Sequence, residues 1–258
     1  MINNKIKRVT SLFMAMLILS MAFTAAVSAK ESSKISDEPS KLEQGLIDAL
    51  NSNTKSLSAD DVIANYFEAN KDKIPTPKKD TSGNTSLRTY ELKDGSDITF
   101  TNQDFFFITS TKKEINNKKE CQNTATTSPV TSISALQYTL QYTPTITASQ
   151  SFYGLMGNRL FTIYSKGYYG FNVNPAIVET HYTDAWYTLG TPSVFQVSNW
   201  KEGGINYLNT HTGEIYGSGH FHWGIEVQGV GLVLYDKYIK VYSTCDQFGN
   251  VHRKYVMQ

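Results

Sequence analysis

The hydrophobic pattern of this chain changes period once. Between residues 35 and 73 apolar residues recur at helical spacing: Leu42, Leu46, Ile47 and Leu50 fall at i, i+4, i+5 and i+8, and a second set runs through Val62, Ile63, Tyr66 and Phe67. Ser58 stands at an N-cap position before Ala59-Asp60-Asp61, whose carboxylates suit the positive end of a helix dipole. The spacing predicts two short helices with narrow apolar faces that pack on something else, in a Lys/Asn/Ser-rich segment that also suits a pro-segment. Lys73-Ile74-Pro75-Thr76-Pro77-Lys78-Lys79-Asp80 follows, with prolines that neither a helix nor a central strand tolerates well. A domain boundary is placed there.

From residue 85 onward the period is two. Leu87 to Leu92 and Asp97 to Thr101 flank Lys93-Asp94-Gly95-Ser96, a hairpin signal because Asp and Gly accept positive φ. Phe105-Phe106-Phe107-Ile108 reads as a buried strand, and residues 112 to 132 as a long exposed loop. Ser134 to Tyr142 alternates Leu136, Tyr138, Leu140 and Tyr142 with polar residues, and His220 to Gln228 alternates Phe221, Trp223, Ile225 and Val227 with His220, His222 and Glu226. Further strands are expected at Leu160 to Ser165, His181 to Leu189, Ser193 to Asn199, Leu232 to Tyr235, Ile239 to Cys245 and Val251 to Val256. Turns are expected at Gly154 to Asn158, Asn172 to Pro175, Gly190 to Pro192 and Asp246 to Asn250, with Tyr168-Tyr169 in another turn between glycines. Many short strands without helical crossovers predict a mainly β protein: an antiparallel β-sandwich or barrel-like domain over 85–258, preceded by a short helical N-terminal segment within 30–80.

The first 29 residues have another character. Lys5, Lys7 and Arg8 precede an apolar run from Leu12 to Val27 broken by Ser20 and Thr24, which closes on Val27-Ser28-Ala29. Basic, then apolar, then small is the order of a cleavable signal peptide, and a run of about 16 residues falls short of the roughly 20 that span a bilayer. The expectation is a secreted, extracellular protein beginning at Lys30, with no integral membrane segment after cleavage and no lipid or wall anchor. Cleavage takes Lys+Arg from 24 to 21 against 23 Asp+Glu, a net charge of about −2, which implies neither nucleic acid nor an anionic membrane as partner. The composition resembles that of secreted β-rich proteins from Gram-positive bacteria; no motif ties it to a family. The two cysteines, Cys121 and Cys245, are expected to pair in an oxidising compartment.

Motifs that carry chemistry are scarce. His220-x-His222 places two imidazoles on one strand face with Glu226 beyond them, the beginning of a metal site that lacks further ligands unless His181, His211 or a carboxylate converges on it. Tyr216-Gly217-Ser218-Gly219-His220 is not the Gly-x-Ser-x-Gly nucleophile elbow. No phosphate-cradling or calcium-binding loop occurs, so no cofactor, metal or catalytic residue is assigned. Sixteen tyrosines and thirteen phenylalanines are more informative. Tyr168 and Tyr169, extended by Trp186, offer rings for stacking on sugars, and Asn172 or Asn174 can bond to hydroxyls. The expectation is a secreted non-enzymatic binding protein whose partner is a carbohydrate or cell-wall polymer. Two other classes stay open. One is a hydrolase centred near His220, His222 and Glu226; the other is a pore former, because residues 130 to 148 keep one parity largely apolar, with Pro144 as an interruption.

Overall fold

The computed structural model describes residues 38–53, 57–74, 86–114, 138–190, 195–226 and 232–258. The signal segment, the Pro75-Pro77 linker and Cys121 lie outside the described residues. Helical spacing is realised as α1 (Lys41–Asn51) and α2 (Ala59–Ala69), followed by a 3-10 turn at Lys71–Lys73. Ser40 and Glu43 cap α1 reciprocally: the Glu43 N–H donates to Ser40 Oγ at 3.3 Å and the Ser40 N–H to Glu43 Oε2 at 2.8 Å. Ser58 caps α2 by accepting from the Asp61 N–H.

Among the described residues eleven strands follow: β1 (Leu87–Glu91), β2 (Asp97–Thr101), β3 (Phe105–Glu114), β4 (Gln141–Tyr142), β5 (Thr145–Gly154), β6 (Arg159–Asn172), β7 (Ile177–Leu189), β8 (Phe195–Tyr207), β9 (Thr212–Glu226), β10 (Leu232–Asp246) and β11 (Val251–Met257). They form two antiparallel sheets. The first runs β1-β2-β3-β5-β6 with β4 and β7 also paired to β6, and the second runs β11-β10-β9-β8. The fold is therefore mainly β and sandwich-like, with the helical segment ahead of the strands.

Between the sheets lie Phe105, Phe107, Phe152, Phe161 and Ile163 from the first and Phe221, Trp223, Ile239 and Val241 from the second. Phe161 stacks on Phe221 at 4.7 Å, and Phe105 meets Trp223 edge-on at 5.7 Å. The opposite parity of β3 faces the helices, where Phe106 and Ile108 join Leu46, Ile63, Phe67, Ile98 and Tyr153 in a second cluster. Both faces of the start of β3 are thus covered, which is why Phe105 to Ile108 reads as an unbroken apolar run. Burying each such side chain contributes roughly 1.5–3 kcal/mol. Polar ties hold the helices in place. Asp60 accepts from the Tyr153 hydroxyl at 2.7 Å and pairs with Arg159 at 2.8 Å, and Glu43 pairs with Arg88. The helical segment consequently shares a core with the strands and belongs to one compact unit with them over 39–258.

Several local expectations change. The alternating stretch ending at Tyr142 is extended only at Gln141–Tyr142 among its described residues; 138–140 are irregular, and Tyr138 and Tyr142 are exposed. Pro144 cannot donate to a ladder, and β5 begins immediately after it, so 138–148 is not one strand. Lys112 to Glu114 belong to β3 rather than to a loop, paired with Thr145 to Thr147. Leu232 to Tyr235 and Ile239 to Cys245 are one strand, because Asp236, Lys237 and Tyr238 keep register with His222, Phe221 and His220. The turns at Asp94-Gly95 and Asp246 to Asn250 form as expected, with Gly95 and Gly249 at φ of 78° and 80°.

Burial sets an alkaline limit on this fold. It pushes the phenol of Tyr235 up to about 12, with the Asp104 carboxylate adding to the effect. It likewise raises Tyr153, where Asp60 adds, and Tyr169, against the opposing hydrogen bond from Ser243. Folded pKa values above the unfolded value of about 10 mean that the contribution is complete below that pH and is lost as pH rises through the raised range. Thermal melts should give a Tm that declines gently above about pH 9, where the raised pKa of the buried Cys245 thiol begins to act, and falls steeply beyond about pH 10; a constant Tm to about pH 11.5 would contradict the burial of these groups.

Candidate functional site

The aromatic residues singled out in the sequence divide by strand parity. Tyr168 and Tyr169 are not in a turn but in the middle of β6, where successive side chains point to opposite faces. Tyr169 is fully buried between the sheets, its hydroxyl bonded to the Ser243 carbonyl and hydroxyl at 2.7 Å. It is a core residue and offers no stacking surface. Tyr168 points outward, as does Trp186 on β7.

On this outer face the register of β6 against β7 builds two cross-strand pairs. Tyr164 stacks on Trp186 at 4.7 Å with 12° between the planes, and Tyr168 stacks on His181 at 4.6 Å with 7°. Tyr142 from β4 stands edge-on to Tyr168 at 6.1 Å and lies 5.7 Å from His181. Gly170 makes room for this group: a Cβ there would sit 3.0 Å from Tyr142 Cε1 and 3.5 Å from His181 Nε2. A bulge between Lys166 and Gly167 shifts the pairing, and a Cβ at Gly167 would lie 2.5 Å from the His181 carbonyl oxygen, so the close approach of β7 requires glycine. Polar groups surround the rings. Lys166 pairs with Glu114 at 3.0 Å, Asp184 is exposed opposite Lys166, and Ser110 and Ser149 share a hydrogen bond at 2.8 Å.

Asn172 ends β6 and Asn174 lies in the turn that follows; they bond to each other through side chain and backbone at 3.3 Å. The Asn172 amide is therefore already used in shaping the turn. Tyr142, Tyr164 and His181 are the members of the group that sequence reasoning left out of the site. The signal was present: counting outward from the turn after Asn172 places His181 opposite Tyr168, and the bulge then brings Trp186 opposite Tyr164.

His220 and His222 do share the outer face of the second sheet. Their Nδ1 atoms lie 3.8 Å and 3.3 Å from the same Asp236 oxygen on β10. Among the described residues no group of three or more His, Cys, Asp or Glu is placed to hold a metal ion. Gly217-Ser218-Gly219 lies within β9, and its glycines form no turn. They face inward in mid-strand, and a Cβ on either would press on the Trp200 ring at 3.1–3.2 Å. No family model matches the chain, and neither the curated proteins nor the solved structures contain a match to it.

Cys121, the expected disulfide partner of Cys245, lies outside the described residues, and among those described Cys245 is unbridged. Cys245 is a free thiol whose inward strand position seats it among Ile146, Tyr169, Val178 and Ile215, where its S–H donates to the Asp246 carbonyl at 3.3 Å. Burial, with Asp246 nearby, pushes this thiol up to about 12, so almost no thiolate exists at neutral pH. The folded protein at pH 7.5 should resist iodoacetamide at Cys245 and become alkylated there on unfolding in guanidinium without reductant. Alkylation that requires reductant would show a disulfide instead.

Proposed function

We propose that this is a secreted binding protein whose outer aromatic face on the first sheet takes a glycan or cell-wall polymer. The observation that carries the reading is the pair of stacked couples, Tyr164–Trp186 and Tyr168–His181, on a face where the neighbouring side chains are hydroxyl-bearing or charged. Sugar rings present apolar C–H faces and a rim of hydroxyls, and half-exposed aromatic edges beside Asp, Lys and Ser answer both. The couples are four residues apart along β6, about 13 Å at strand rise, a span that a short run of residues in a linear polymer bridges. Packing against each other holds the rings in place, which lowers the side-chain entropy lost on binding.

Export rests on the signal-like order of residues 1–29. Among the described residues no helix is long and apolar enough to cross a membrane. Intact-mass measurement of protein recovered from culture medium should give a chain beginning at Lys30; recovery only with cells and with residues 1–29 attached would refute export by cleavage.

The binding site is tested with the double variant Tyr168→Ala/Trp186→Ala. Each stacking ring is worth on the order of 1 kcal/mol, so retention on a glycan array or wall preparation should weaken by roughly tenfold to a hundredfold. Far-UV circular dichroism should be unchanged, because both rings are on the outer face. Equal retention of the variant and the parent would rule the face out.

A further inference from the structure

The outer face of the second sheet carries a second, independent arrangement. Ser198 on β8 is exposed, and its Oγ lies 3.2 Å from His222 Nε2 on the adjacent β9. The other ring nitrogen, Nδ1, lies 3.3 Å from Asp236 Oδ1 on β10, the next strand again. Three neighbouring strands thus present hydroxyl, imidazole and carboxylate in line. Protonation of Nδ1 toward the carboxylate leaves Nε2 as an acceptor for the serine hydroxyl. We propose that Ser198, His222 and Asp236 form a nucleophile, base and orienting acid that cleave carboxylic esters.

The backbone around Ser198 is shaped for this role. The register of β8 against β9 jumps from Ser198–His220 to Lys201–Ser218, and Asn199 within the jump has a φ of 53°. A bulge takes its extra residues out of the ladder, and positive φ at a non-glycine residue beside a candidate nucleophile is the kind of strain found at functional sites. Trp200 anchors the bulge. Its ring lies over Gly217 and Gly219 against the core, and its Nε1–H donates to Glu202 at 2.7 Å. Ser198 is held beside that anchor while its side chain faces solvent.

In the first step Ser198 Oγ bonds to the ester carbonyl carbon as its proton passes to His222 Nε2 and the carbonyl electron pair moves onto oxygen. The intermediate collapses by breaking the bond to the alkoxy oxygen, which leaves as an alcohol with the proton from His222. Water then gives its proton to His222 and attacks the acyl carbon. Ser198 departs with that proton, and a carboxylic acid is released. Asp236 is a positioning residue that holds the imidazole tautomer. The side chains of His222 and Asp236 are 39% and 66% exposed, so an ester displayed on a large or flat substrate can reach them.

The test treats the purified full chain with a fluorophosphonate probe and, separately, with p-nitrophenyl acetate. A phosphonyl adduct on Ser198, located by peptide mass spectrometry, is the expected result. Ser198→Ala and His222→Ala should each lower kcat/KM for the acetate by about 100-fold or more, and Asp236→Asn by about tenfold or more, with unchanged Tm. A parent chain that acquires no adduct at Ser198 would overturn the proposal, and that result depends on no variant folding. Hydrolysis that persists undiminished in Ser198→Ala would also overturn it, because it would be direct attack by imidazole. The aromatic face lies on the other sheet, so Tyr168→Ala/Trp186→Ala should acquire the adduct as the parent does, which separates failure of one site from failure of the other.

Discussion

The structure depends on how much of the first sheet's outer face two short helices can cover. Each has 11 residues and is about 16 Å long, whereas the 14 residues of β6 extend for about 46 Å. The helices therefore seal only the end of the sheet where Phe106, Ile108 and Tyr153 face outward, and the packing there is closed by Phe67 against the Gly157 turn. Beyond that end the same face meets water. Its side chains change accordingly, from phenylalanine and isoleucine to serine, threonine, lysine and the stacked tyrosine couples. The inner face needs no such change, because the second sheet runs opposite it, and phenylalanine is found there on β3, β5 and β6 alike.

The two outer faces carry different chemistry for the same geometric reason. Strands of an antiparallel sheet bring side chains from distant parts of the chain to within contact distance across each ladder. On the first sheet this juxtaposes rings, which satisfy one another by stacking. On the second it juxtaposes Lys240 with Glu214 at 2.7 Å between the rings of Tyr216 and Tyr242, and further along it aligns Ser198, His222 and Asp236. The first arrangement is closed on itself, with charge and π faces used internally. The second ends in an exposed hydroxyl.

Glycine in mid-strand recurs wherever a ring or a backbone comes too close for a side chain. Gly217 and Gly219 admit Trp200, Gly167 admits the bulge of β7, and Gly170 admits Tyr142. Each glycine weakens its own strand, and each is offset by the contact it allows. The outward group on β6 and the bulge after Ser198 both exist because of such positions. The glycine-rich Tyr216 to Gly219 stretch is part of one continuous strand, β9, with the bulge of β8 opposite Gly219.

Local pattern by itself determined the helices and the Ser58 cap, the hairpin at Asp94-Gly95, the buried run Phe105 to Ile108, the strand parity of His220 to Trp223 and the turn after Cys245. Each of these depends on periodicity or on the φ preference of one or two residues, and both act within a few positions of sequence. Tertiary structure decided what such short-range signals do not contain. Tyr168 and Tyr169 are adjacent and chemically identical, yet only parity within β6 and the presence of a second sheet make one a surface ring and the other a core residue bonded to Ser243. Cys245 sits in the core among Ile146, Tyr169, Val178 and Ile215 because its strand position turns it inward. Ser198 meets His222 and Asp236 only through the register of three strands, which long-range pairing sets and no local window of the chain encodes.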